Sequence, residues 1–205
     1  MRKLISAPSH QFQPKKSLAA RLTSFYKLTL GLDLMNNYRW ETTFSNLFHR
    51  CLDRYQGGDA DYTGYYSDED SAFLTSIGYK PREFFDFVED YADGDDPSPT
   101  TAVMIAAARR DYLHTIMDGK LSDHEIKPNE LPGKGEDLGG IRWLPRIIRK
   151  AEGKLRGELD PDIMYCCGGD RGFLNQHDIH PADFLRVVWA ADGNTDYVVD
   201  YVRNH

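Results

Sequence analysis

The sequence predicts a mainly α-helical protein in which two tandem copies of one small helical unit pack into one globular protein. The first observation is a period of 3.6 residues in the apolar residues near the start of each predicted unit. In the first unit this stripe consists of Phe44, Leu47, Phe48, Cys51, Leu52 and Tyr55. In the second unit the same spacing is followed by Leu144, Ile147, Ile148, Ala151 and Leu155. Each unit is therefore expected to open with an amphipathic helix.

The second observation is an offset of one hundred residues that aligns the two units without a gap. The identities at this offset are Gly57/Gly157, Tyr65/Tyr165, Asp70/Asp170, Phe73/Phe173, Leu74/Leu174, Pro81/Pro181, Phe84/Phe184 and Val88/Val188. Ordinary residue usage gives roughly two identities over such a stretch. A duplication of one unit is the simplest explanation.

The elements after the opening helix are predicted from the residues at their ends. Gly57 and Gly157 indicate turns. Asp70 and Asp170 are expected to cap a short helix, because a carboxylate accepts hydrogen bonds from the free amides of the first turn.

Proline marks the start of the next helix in each unit. Pro81 and Pro181 suit the first helical position, where the missing amide would be unbonded in any case. A longer helix is predicted from Ser98, as its cap, to Met117, and residues 196–203 look like its shorter counterpart.

The first unit is predicted over residues 15–118 and the second over residues 138–205. Residues 119–137 are rich in Lys, Asp, Glu, Pro and Gly, so they are interpreted as the linker. We expect the core of each unit to include its Phe-Leu pair and the phenylalanine that follows. These core residues are Phe73, Leu74, Phe84, Phe173, Leu174 and Phe184.

The amino-terminal part of the chain is predicted to be helical and to carry no targeting signal. Residues 1–7 lack the ~7–15-residue apolar centre of a secretion signal, and no later window approaches the ~18 apolar residues of a membrane span. Residues 28–34 alternate like a short strand, but residues 15–35 as a whole are interpreted as helix. The residues with helical spacing are Leu18, Leu22 and Phe25. We therefore expect a cytoplasmic protein that does not bind membranes.

The composition and charge of the chain indicate which classes of partner the protein is expected to bind. A hydrophobic content of 40% is typical of a folded chain. The formal net charge of −7 disfavours binding to nucleic acid, because phosphate groups would be repelled. Cys51, Cys166 and Cys167 are too few for a disulfide framework and are expected to be reduced thiols.

The second unit contains motifs with moderately specific spacing. These are Gly139-Gly140, then Trp143-Leu144-Pro145-Arg146, then Cys167-x-x-Asp170 before Phe173-Leu174. Over roughly residues 130–205 the pattern resembles an uncharacterised bacterial family catalogued only as a domain of unknown function. The first unit departs from it, with Thr43-Phe44-Ser45-Asn46 at the Trp-Leu-Pro-Arg position and Ser67 at the cysteine position. The resemblance implies a bacterial origin and supports the unit boundary, but it implies no activity.

Candidate metal ligands lie near the second aspartate. Cys166, Cys167, His177 and His180 are the donor types of a structural zinc site. However, zinc sites normally place two or more residues between paired cysteines. The equivalent positions of the first unit hold Tyr66, Ser67, Ile77 and Lys80. We therefore expect no metal and no other cofactor.

Two further sets of residues are candidates for ligand binding. The pairs Tyr65/Tyr165 and Asp70/Asp170 would face one another across a cleft if the units pack about an approximate twofold axis. Their structural interpretation is a core tyrosine and a helix cap that the fold needs twice. A basic strip could hold an anion near Arg146, although a solvated helix face is the ordinary interpretation. This strip comprises Arg142, Arg146, Arg149, Lys150, Lys154 and Arg156.

Two hypotheses for function follow. The preferred one is a binding or interaction module that recognises a protein or a small anionic ligand. Its candidate ligand-binding residues are Tyr65, Asp70, Arg146, Tyr165, Cys167 and Asp170. The alternative is an enzyme with a site at the inter-unit cleft that uses the Cys167 nucleophile, His177 or His180, or the Asp70/Asp170 pair. The first is preferred because no catalytic arrangement outweighs its structural interpretation.

Overall fold

The computed structural model describes residues 37–205, of which residues 39–205 form one compact unit. The predictions for residues 15–35, including a short strand at residues 28–34, lie outside the described residues. Eight α-helices and one small hairpin form the regular structure of residues 37–205, together with short 3-10 turns, which confirms the mainly α prediction. No helix in this part of the chain combines the length and apolar character needed to cross a lipid bilayer.

The described part of the first half, from residue 37 onward, contains four α-helices. They are α1 (Trp40–Gln56), α2 (Asp68–Ser76), α3 (Pro81–Gly94) and α4 (Pro99–Thr115). The predicted helix start at Pro81 is confirmed, because α3 begins at this residue. The predicted cap at Ser98 is confirmed as well, because the Thr101 amide donates to Ser98 Oγ at 3.1 Å.

The second half contains four more helices in the same order. They are α5 (Leu144–Arg156), α6 (Gly168–Gln176), α7 (Pro181–Ala191) and α8 (Thr195–Arg203). Both ends of α2 and α6 lie one hundred residues apart, and α3 and α7 both begin at the predicted prolines. The duplication itself stays a prediction, which a backbone superposition of residues 44–90 on residues 144–190 tests.

A two-stranded hairpin precedes α5. Its strands β1 (Asp137–Leu138) and β2 (Ile141–Arg142) are antiparallel. Gly139 and Gly140 have φ angles of 61° and 79°, the left-handed pair that a tight two-residue hairpin requires. Arg203 Nη2 donates to the Gly139 carbonyl at 2.5 Å and so joins the hairpin to α8.

The segment predicted as a linker, residues 119–137, packs against the second half. Ile126 is fully buried and forms a parallel bridge with Leu159. Its amide donates to the Glu158 carbonyl at 2.6 Å, and its carbonyl accepts from the Asp160 amide at 3.2 Å. The segment therefore makes a packed connection in this region rather than a flexible tether.

Helix α4 lies at the centre of the molecule and packs against α1, α3, α5 and α7. Ala102, Ala106 and Ala108 of α4 are buried, and such small side chains allow its neighbours to approach closely. The core prediction is confirmed for all six residues. Each is at most 8% exposed: Phe73, Leu74, Phe84, Phe173, Leu174 and Phe184.

Candidate functional site

A cation–aspartate pair occurs at the same offset in both halves. Arg50 Nη2 lies 2.5 Å from Asp70 Oδ2, and Lys150 Nζ binds Asp170 Oδ2. The Arg50 side chain is 52% exposed, whereas that of Lys150 is 4% exposed. The pair therefore forms a surface contact in the first half and a buried ion pair in the second.

Asp70 and Asp170 lie inside the first turn of their helices, so the prediction that they are the capping residues was wrong. Ser67 caps α2, where its Oγ accepts from the Asp70 amide at 3.2 Å. The Asp70 carboxylate reaches back to the Ser67 amide at 2.8 Å, the reciprocal arrangement of a capping box. Asp170 reaches back in a similar way to the Cys166 amide at 3.0 Å.

Four residues of the second half form what we call the Cys167 cluster: Trp143, Lys150, Cys167 and Asp170. Trp143 Nε1 donates to Asp170 Oδ1 at 3.1 Å, and Lys150 Nζ lies 3.3 Å from Cys167 Sγ. The Asp170 carboxylate thus accepts from the indole, the lysine and the Cys166 amide. The cluster joins the motif residues that the sequence singled out in this half.

The two neighbouring cysteines differ in environment. Cys166 is fully buried, and burial raises the pKa of its thiol to about 12. Cys167 is partly exposed, precedes the first turn of α6 and touches the Lys150 ammonium. Cys167 is therefore the more accessible of the two thiols.

The two tyrosines at the hundred-residue offset, Tyr65 and Tyr165, are buried within their own halves. Tyr65 donates its hydroxyl to the Asp59 carbonyl, and Tyr165 donates to the Pro181 carbonyl at 2.8 Å. In the first half the bond to the corresponding proline, Pro81, comes from Tyr66 at 3.1 Å. The role of Tyr165 therefore matches that of Tyr66, and these contacts are those of core tyrosines.

The histidines near Cys167 have structural contacts of their own. His180 Nδ1 accepts from the Ala182 amide at 3.2 Å and so caps α7, which explains a histidine before the helix-opening proline. The His177 ring lies 4.8 Å from that of Phe173, centre to centre. Across residues 37–205, no three His, Cys, Asp or Glu side chains come together as a metal site.

The basic strip begins at Arg142 in β2 and continues along α5, and it has both buried and exposed members. Besides Lys150, Lys154 is buried, with its Nζ 2.7 Å from Glu83 Oε1 and 4.0 Å from the Tyr79 ring centre. Arg146 donates to the Pro132 carbonyl at 2.7 Å and stacks over Trp143. The expected continuous solvated strip is therefore wrong, because two of its lysines have acidic partners inside the protein.

A pocket of about 780 Å³ lies between α4, α5 and α7, and we call it the arginine–tryptophan pocket. Its apolar wall includes Tyr112, Leu155, Val188 and Trp189. The rings of Tyr112 and Trp189 meet edge to face, with centres 5.4 Å apart. Trp189 is half-buried, so part of its indole is open to a ligand.

Four charged residues line the same pocket: Arg149, Glu152, Arg156 and Asp192. Arg149 Nη1 lies 3.4 Å from Glu152 Oε2. The Arg156 guanidinium lies 6.0 Å from the centre of the Tyr112 ring and is exposed. Neither Arg156 nor Asp192 forms an ion pair with another residue of the described part of the chain.

A second cavity, of about 590 Å³, lies between the two halves, with Asp96 and Thr101 on one side and α6 on the other. Gly168, the residue after Cys167, contributes to its lining, and so does His180. Its arginine, Arg171, is already bound to the carboxylates of Asp90 and Asp96 and to the Cys166 carbonyl. This cavity therefore offers no unneutralised arginine to an anion.

Arg109 of α4 lies in the interior beside the arginine–tryptophan pocket. Its Nη1 donates to the carbonyl of Leu155, a pocket residue, at 2.5 Å. Its Nε and Nη2 have no hydrogen-bond partner among residues 37–205. Gly78 and Gly157 lie so close to the guanidinium that a β-carbon at either position would overlap it. The guanidinium is thus enclosed by one glycine of each half.

The sequence identified Arg156 as part of the basic strip, but it did not identify the other residues that line the arginine–tryptophan pocket. Tyr112, Trp189 and Asp192 belong to helices distant in sequence, and only the packing of α4 and α7 against α5 brings them together. The one available signal was a tryptophan in the last turn of a helix beside an exposed Asp-Gly. The resemblance of residues 130–205 to an uncharacterised family stays a prediction. No protein-family model, curated protein or solved structure matches this chain.

Proposed function

We propose that this protein is a helical binding module that holds a small ligand with an anionic group in the arginine–tryptophan pocket. The observation that carries this proposal is the exposed Arg156 guanidinium, which has no acidic partner within residues 37–205 and stands over an aromatic wall. Arginine presents a planar fork of donors that matches a carboxylate or a phosphate.

The size and lining of the pocket suit a small ligand. Binding pockets for small molecules typically measure about 300–1,000 Å³ and combine apolar walls with a few polar groups. The pocket of about 780 Å³ has this composition. Its walls come from three mutually packed helices, and a site on packed helices loses little freedom when a ligand binds.

The test uses 8-anilinonaphthalene-1-sulfonate, an aromatic anion whose fluorescence rises on transfer to an apolar site. We expect saturable binding to the native protein and binding about threefold weaker to Arg156→Gln, since an exposed ion pair contributes up to about 1 kcal/mol. Arg186→Gln is the matched control, because Arg186 is exposed on α7 and lies outside the pocket. Equal affinity in native protein and Arg156→Gln would overturn the proposal.

A second candidate function is an enzyme that uses Cys167 as a nucleophile. The observation that favours it is the 3.3 Å approach of Lys150 Nζ to Cys167 Sγ, beside an inter-half cavity lined by Gly168 and His180. A partly exposed cysteine sulfur held against a lysine side chain at the edge of a cavity is a candidate nucleophile.

Alkylation by iodoacetamide, followed site by site with mass spectrometry, tests this candidate. Cys167 should react much faster than Cys51 or Cys166, which are both buried. Lys150→Met should slow the reaction of Cys167, whereas Lys150→Arg, which keeps the charge beside Asp170, should preserve most of it. Circular dichroism checks that both variants are folded. A Cys167 rate that does not change in folded Lys150→Met would count against this candidate.

A further inference from the structure

The arginine–tryptophan pocket contains one cation and one anion that residues 37–205 leave without an ionic partner. Arg149 and Glu152 neutralise each other at 3.4 Å, but Arg156 and Asp192 do not take part in an ion pair with the described residues. Asp192 is exposed at the carboxyl end of α7, where its backbone φ is 46°. A ligand with a single negative charge would use Arg156 and leave Asp192 without a partner.

The pocket that these charges line has two aromatic rings in its wall. The Tyr112 and Trp189 rings meet at an interplanar angle of 76°, and the half-buried Trp189 is the ring that an added aromatic group could pack against. Apolar contacts with Leu155 and Val188 complete the wall. An aromatic ligand gains more than an aliphatic one from such a wall.

We propose that the ligand of the arginine–tryptophan pocket is a small aromatic zwitterion, the chemical class to which the aromatic α-amino acids belong. Its carboxylate binds Arg156, its ammonium binds Asp192, and its ring packs against Tyr112 and Trp189. This inference rests on the proposed function and adds the ammonium and the ring to the anionic group.

The experiment compares three probes that share a phenyl ring: L-phenylalanine, 3-phenylpropionate, which lacks the ammonium, and phenethylamine, which lacks the carboxylate. Binding to the full chain is measured by ligand-observed NMR titration. L-phenylalanine should bind at least about threefold more tightly than 3-phenylpropionate, as expected for one additional exposed ion pair. Phenethylamine should bind least tightly, because it cannot use Arg156.

Variants separate the two proposals. Asp192→Asn should remove the advantage of L-phenylalanine over 3-phenylpropionate, because an amide at this position cannot form an ion pair with the ammonium. Asp183→Asn, an exposed aspartate on the same helix, should keep that advantage. Equal binding of the two acids to the native protein overturns the zwitterion and leaves the anion site standing. Failure of both acids to bind, or binding that does not depend on Arg156, overturns the proposed function as well.

Discussion

Asp86 of α3 is a buried carboxylate whose ion pair does not offset its burial. Asp86 Oδ1 accepts a hydrogen bond from Arg82 Nε at 2.8 Å, and Asp86 as a whole is 7% exposed. Burial raises the pKa of Asp86 to about 7, against the opposing effect of Arg82 and Lys154. An aspartate in an unfolded chain has a pKa of about 3.9. Between about pH 4 and 7 the folded protein therefore binds more protons at this position, and the contribution of Asp86 to stability falls as pH rises.

Asp86→Asn should remove this part of the pH dependence. The free energy of unfolding of the variant is expected to fall less between about pH 4 and 7 than that of the native protein, because the amide does not ionise. Urea unfolding at several pH values in this window measures the difference. Asp53→Asn, at an exposed position of α1, is the control and should follow the native curve. The same slope in Asp86→Asn and the native protein would contradict the prediction.

Gly78 is constrained both by its own backbone and by the Arg109 side chain. Its φ is +81°, and a β-carbon there would lie 2.7 Å from Arg109 Cζ. Gly58 has a similar φ of +92° but open space around it. Gly78→Ala should therefore destabilise the protein by about 1–3 kcal/mol more than Gly58→Ala, the usual cost of overpacking. Denaturant unfolding measures both variants, and equal losses would show that Arg109 imposes no constraint.

At the scale of elements, the amino-terminal end of α4 gives a simple test of helix capping. Ser98→Ala removes the acceptor of the Thr101 amide and should lower the free energy of unfolding by about 1 kcal/mol. Ser45→Ala in the middle of α1 is the control, since its hydroxyl only returns to the Glu41 carbonyl, and it should stay within about 0.5 kcal/mol. Thermal unfolding measures the loss of stability in both variants. Equal losses would contradict the prediction that Ser98 stabilises α4 as its cap.

The helices could be predicted because their signals are local. Proline at position 81 or 181 and serine at position 98 act on the adjacent turn, so the pattern alone located these helix starts. The burial and the ion pairs of Lys150 and Lys154 could not be predicted from such local signals. Their partners, Asp170 and Glu83, lie 20 and 71 residues away, and a local pattern of basic residues cannot report a distant acid.

For the whole molecule, the apolar residues that recur at the hundred-residue offset correctly predicted core positions, whereas the pocket residues are brought together only by helix packing. The sequence placed the helix after Ser98 outside the duplicated core, but α4 packs against helices of both halves. The arginine–tryptophan pocket is formed where α4 and α7 meet α5, so its residues share no periodicity and no motif. Arg156 was a candidate because it is basic; its aromatic and acidic neighbours required the tertiary arrangement.

Truncation of a core residue tests this packing. Phe184 is fully buried in α7, and Phe184→Ala should lower the free energy of unfolding by about 3–5 kcal/mol through lost apolar contacts and the cavity that remains. Tyr197→Ala, at a residue 49% exposed on α8, is the control and should cost much less. Denaturant unfolding monitored by circular dichroism gives both values. A cost below about 1 kcal/mol for Phe184→Ala would be inconsistent with a well-packed core.

The enclosure of Arg109 has a consequence for how this sequence can change over time. Gly78 belongs to the first half, Gly157 to the second and Arg109 to the helix between them, yet one guanidinium restricts all three positions. A side chain at either glycine becomes tolerable on steric grounds only after Arg109 is shortened, and its left-handed backbone must then be relieved as well. In descendants of this chain, we therefore expect Arg109 to be replaced by a shorter residue first. Substitutions at Gly78 and Gly157 should follow only after that change.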